Sequence, residues 1–176
     1  MAEAKNIDFS NKQLIRLIWP LILEQFLSLA VGLADSVMVA QVGDYAVSGV
    51  SLVDSISVLM LYIFSAMAAG GAAVCGQYIG RNGYDDAKRA GQHLIVLLSG
   101  LSLVITVLLY LCRGLIVSNL FGRIDADVIS ATNPYYSYCM AAVPGIALYN
   151  GGAALFRSME RTDITLKISI LMNAVN

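Results

Sequence analysis

The sequence predicts an all-α membrane protein, a polytopic helical bundle, and three observations carry that prediction. Hydrophobic residues make up 58% of the 176 and charged residues 13%, about half the charged share of a soluble domain. Mean hydropathy is strongly positive at +0.72. The apolar residues fall in runs of 18 or more, long enough as helices to cross a hydrocarbon core of about 30 Å. A net charge of -1 without a basic cluster offers nothing to nucleic acid. Cys75, Cys112 and Cys139 lie in or beside apolar runs at no metal-like spacing and read as small buried hydrophobes.

Residues 1–13 form a polar arm. The first apolar run, 14–40, is too long for the core of a signal peptide, and Pro20 falls near its start, where a missing backbone donor costs least. Glu24, Ser28 and Asp35 repeat at helical spacing, so one stripe of this span is polar. A short turn at Val42, Gly43 and Asp44 leads into the second run, 46–79, which is longer than one straight crossing needs. Gly70, Gly71, Gly76 and Gly80 are its expected weak points and close-packing positions, and Asp54 lies on its polar stripe beside Ser51 and Ser55. A polar turn and helix start over 81–90 precede the third span, 94–111. The fourth, 128–155, has no charge but holds Asn133, Pro134, Tyr135, Tyr136, Tyr138, Pro144, Tyr149 and Asn150; its two prolines predict a kink. A fifth run begins at 168 and meets the last residue at 176, a truncated span.

With the N-terminus in the cytoplasm, nine basic residues (Lys5, Lys12, Arg16, Arg81, Lys88, Arg89, Arg157, Arg161 and Lys167) lie inside, against Arg113 and Arg123 outside. That bias sets the expected orientation. Asp35 and Asp54 then both lie in the outer half of the bilayer, flanking the first turn, close enough to meet but not shown by spacing alone to do so. An acid at a helix centre costs about 2.5–3.5 kcal/mol on insertion scales, so Glu24, Asp35 and Asp54 are candidate functional groups. Glu24 has two readings: a coupling or substrate carboxylate, or a buried partner for a polar group on another helix. Tyr135, Tyr136, Tyr149, Asn133 and Asn150 are candidates to line a substrate path, the tyrosines by stacking on aromatic cations, although packing is the commoner use of such aromatics. His93 reads as a residue at the loop edge.

The ordered motifs GLADSVMVAQVG (32–43), AVSGVSL (46–52) and AAGGAAVCGQYIGRNGYDDAKRAGQ (68–92), with Pro20 before them, resemble the N-terminal part of the multidrug and toxic compound extrusion (MATE) family. The resemblance extends over the chain from about residue 14. It implies twelve helices in two lobes of six, and export of drugs or organic cations in exchange for sodium or protons. No other cofactor, and no metal beyond sodium at Asp35, is implied. It also implies that Asp35 is the cation-coupling carboxylate of the first lobe; Glu24 and Asp54 join it as candidate coupling acids on the reading of the residues alone. Asn173 or Asn176 would stand for the asparagine motif of the fifth helix. Residues 14–176 are then a partial N-terminal lobe, expected to need the missing second lobe of the same chain and to reside as a multi-pass protein in the cell membrane, the inner membrane of a bacterium.

Two alternatives share parts of this pattern. A lipid-linked-sugar flippase of the same superfamily would be expected to present several arginines to a pyrophosphate, and the middles of these spans have none. An intramembrane enzyme using Asp35 and Asp54 as an acid pair would be expected to carry an accompanying nucleophile, base or metal-ligand cluster, and none stands out.

Overall fold

In the computed structural model the described residues are 11–116 and 126–175; most of the N-terminal arm, Arg123 and Asn176 lie outside them. Among the described residues six helices follow in order: α1 (Asn11–Ala40), α2 (Asp44–Gly80), α3 (Tyr84–Leu111), the three-residue α4 (Arg113–Leu115), α5 (Ala126–Ser158) and α6 (Thr162–Val175). No strand occurs among the described residues. Four helices are long and apolar enough to cross a membrane, over Leu14–Ala40, Ala46–Gly80, Tyr84–Leu111 and Thr132–Ser158.

Local chemistry explains the helix ends. Gly43 sits at φ 129° between α1 and α2, a conformation only glycine adopts without strain. The turns after α2 and α5 are built alike. The Gly83 amide donates to the Tyr78 carbonyl at 2.9 Å and Asn82 to Ile79 at 3.0 Å; Arg161 donates to Phe156 at 2.9 Å and Glu160 to Arg157 at 3.1 Å. Both are Schellman closures, with Asn82 (φ 60°) and Glu160 (φ 59°) as the left-handed residues. Asp85 and Asp86 then occupy the first turn of α3, and Asp163 that of α6, where the helix dipole favours negative charge. Helix α3 therefore starts ten residues before its apolar run, drawing the polar 84–93 segment into the helix.

The core lies between α2, α3 and α5, which pack on one another. Val53, Ile56, Met60, Phe64, Ala68 and Ala72 form a stripe at three- and four-residue steps along α2, facing Tyr136, Met140, Val143, Ala147 and Ala154 of α5 and Leu94 and Leu98 of α3. Small residues set the approach. A Cβ on Gly49 would stand 2.7 Å from Thr132 Oγ1, and one on Gly151 2.6 Å from Leu98 Cδ1. Gly71 closes on Leu94 in the same way, whereas Gly70 and Gly80 face open space. Helix α2 runs unbroken through its glycines, and α5 through Pro134 and Pro144.

Helix α1 stands apart. It leans mainly on α6 and only lightly on α2, and Glu24 is its one buried residue among those described. Apolar side chains from Leu14 to Met38 are exposed along it, as a lipid- or protein-facing surface requires.

Candidate functional site

Two polar recesses flank α1, one near each end. The first, at the α1–α2 turn end, is a cavity of about 540 Å³ lined by Asp35 and Ser36 of α1, Ser51 and Asp54 of α2, and Tyr135 of α5, with Gly32 leaving room beside the acids. The antiparallel pair thus brings Asp35 and Asp54 to one cavity. Asp54 is fixed from across the core: the Tyr135 hydroxyl donates to its Oδ1 at 2.8 Å. Cys139, one turn along α5, lies beside the same hydroxyl. Asp35 is exposed to the recess, and Ser36 turns its hydroxyl back onto the Gly32 carbonyl at 2.8 Å. Two carboxylates, hydroxyls and an aromatic ring facing one opening in an apolar bundle suit a small cation or a cationic organic molecule.

The second recess, about 630 Å³, lies at the opposite end between the start of α1 (Arg16, Leu17, Pro20) and the α5–α6 turn (Met159–Asp163). Asp163, at its edge, is exposed. Burial raises its carboxyl, but Arg161 at 3.4 Å and Lys167 at 3.7 Å together hold it below the ordinary value. One helical turn beyond Pro20 lies Glu24, 5% exposed. The Tyr149 hydroxyl of α5 donates to Glu24 Oε1 at 2.9 Å, and Ser169 of α6 flanks that hydroxyl. Glu24 is thus a buried partner for a polar group on another helix. Its Oε2 is buried with no hydrogen-bond partner among the described residues.

The remaining candidates separate. Tyr136 is fully buried in the core and donates to the Leu109 carbonyl at 2.8 Å, so it packs rather than lining either recess. Asn133 is held by Arg113, whose Nη2 donates to Asn133 Oδ1 at 2.9 Å and Nε at 3.2 Å. Asn150 is buried, donates to the Ile146 carbonyl, and borders a cleft between α2 and α5 with Ser65, Gly76 and Arg157. Asn173 is half-buried, its Nδ2 unpaired among the described residues. Tyr138 and His93 are exposed. Sequence reading missed a polar ladder on α6, where Thr162, Thr165, Ser169 and Asn173 repeat at steps of three and four. The first three are buried. The spacing was present; the short length of the apolar run hid it. Among the described residues no group of three or more His, Cys, Asp or Glu is placed to hold a metal.

The fold has relatives. The uncharacterized transporter YisQ of Bacillus subtilis (strain 168) is 26% identical over 167 residues, 93% of this chain and 35% of that protein. A solved MOP superfamily transporter from Pyrococcus furiosus, described by the reverse polarity of its binding pocket, superposes with a TM-score of 0.82 at 19% identity. An outward-facing multidrug resistance MATE family transporter of the MOP superfamily superposes at 0.81 and 17%. Each superposition covers 93% of this chain and 36% of the other; at these identities they establish the fold. The chain thus spans about a third of the length of these relatives. The family model MatE matches residues 20–176, nearly the whole sequence, and the chain belongs to the MatE family.

Proposed function

We propose that these helices form the N-terminal part of a cation-coupled antiporter that exports drugs or organic cations in exchange for sodium or protons. The observation that carries this reading is the meeting of Asp35 and Asp54 in one recess of an otherwise apolar bundle. Family membership and the similarity to a multidrug resistance transporter support it. Asp35 is the coupling carboxylate, taking a proton or sodium from the outer side. Asp54, already held by Tyr135, shapes the recess and adds negative charge that favours cationic cargo. Cation binding at Asp35 biases the packing of α1 against α2, releasing cargo outward and letting the lobe rock inward. The light contact between α1 and α2 leaves room for such a shift. A flippase for pyrophosphate-linked sugars fits less well: Arg157 is the one guanidinium, among the described residues, that borders the α2–α5 cleft.

The test is Asp35→Asn in the protein made from the complete reading frame. Coupled export and drug resistance should be lost while membrane insertion and expression persist. Resistance retained at matched expression overturns the assignment.

A further inference from the structure

We propose that Glu24 is a second binding site for a small monovalent cation, a proton or sodium, in the half of the lobe opposite the Asp35 recess. It rests on the antiporter reading for its purpose but on separate residues for its geometry. Glu24 lies eleven residues before Asp35 on the same helix, about 16 Å along the axis, too far for one ion to serve both. The residue is 5% exposed and its Oε2 is buried, yet only Oε1 is satisfied, by Tyr149. Oε2 accepts nothing among the described residues. A buried anionic acceptor with one donor is costly to maintain, and a cation on its open oxygen removes that cost.

The surroundings fit an exchangeable ion rather than a permanent ion pair. Glu24 accepts from the Tyr149 hydroxyl, and Arg157 acts on that tyrosine and is itself bonded to the Ala153 carbonyl at 3.2 Å. No Lys or Arg forms a salt bridge with Glu24 among the described residues. Ser169 of α6 lies beside the Tyr149 hydroxyl. Pro20, one turn before Glu24, lines the 630 Å³ recess beside the α5–α6 turn, and the proposed ion would reach the carboxylate from that side. Pro20 also lacks an amide hydrogen, so it gives the Arg16 carbonyl no helical donor. The chain would then carry one carboxylate site serving each end of α1.

The experiment uses the purified protein from the complete reading frame in three forms, D35N, E24Q/D35N and Y149F/D35N. Two signals are read in each: the shift of unfolding temperature with sodium at fixed ionic strength, and the infrared carbonyl band of a protonated carboxylic acid. One of the two should remain in D35N, vanish in E24Q/D35N and persist in Y149F/D35N, which keeps the carboxylate. A sodium shift identifies sodium, and the acid band identifies a proton. If neither signal differs between D35N and E24Q/D35N, Glu24 is only an acceptor for Tyr149 and the inference fails. Drug export by D35N, measured separately, decides the Asp35 assignment, so either proposal can fall while the other stands.

Discussion

Two tyrosines of α5 each donate to a carboxylate of another helix, and burial separates their expected effects. Tyr149 bonds a buried Glu24, Tyr135 an exposed Asp54. Tyr149→Phe withdraws the one donor that a desolvated carboxylate has among the described residues, which costs about 1–3 kcal/mol. Tyr135→Phe leaves Asp54 to water and costs less, about 1 kcal/mol or below. Thermal unfolding of the two variants in one detergent checks the order; equal losses would contradict the burial argument. At this scale the acids themselves were legible, since a carboxylate in an apolar run stands out. Their partners were not, because Glu24 and Tyr149 are 125 residues apart and no local spacing joins them. Tyr136 marks the same limit: it neighbours Tyr135 in sequence, but one helical step of about 100° sends it into the core.

Between elements, small residues decide how closely helices approach. Gly49 has Thr132 Oγ1 at 2.7 Å from where its Cβ would lie, with the Thr132 amide and Val128 carbonyl at 3.5 Å. Gly49→Val forces α2 and α5 apart and should lower stability by about 1–3 kcal/mol. Gly70→Ala, in open space within the same helix, should leave stability unchanged or raise it by up to about 1 kcal/mol. Denaturation midpoints in detergent distinguish the pair. The turn after α5 offers a stabilising change. Glu160 holds a left-handed conformation at φ 59°, and Glu160→Gly should relieve about 1 kcal/mol of strain, read as a higher unfolding temperature. Of the glycines that the sequence offered for close packing, Gly71 makes a close approach while Gly70 and Gly80 face open space; Gly49 and Gly151, which also approach closely, lay outside that stretch.

For the whole molecule, the basic residues set an expectation that reporters can check. Alkaline phosphatase fused in the 41–43 turn should be active outside the cytoplasm, and a fusion in the 81–83 turn inactive, as the positive-inside bias requires; the reverse pattern would exchange the sides assigned to the Asp35 and Glu24 recesses. Composition and run length by themselves determined that this chain is a bundle of four membrane-length helices, because hydrocarbon demands long, internally bonded apolar segments. They also exposed its three intramembrane carboxylates, because charge in such segments is rare and costly. Only the tertiary structure decided what these acids meet. Asp35 and Asp54 share an open cavity because α1 and α2 turn back on one another at Gly43. Glu24 is buried because α1 leans on α6 and meets Tyr149 of α5. A helical period fixes which residues share a face, and only packing between distant helices fixes what that face meets.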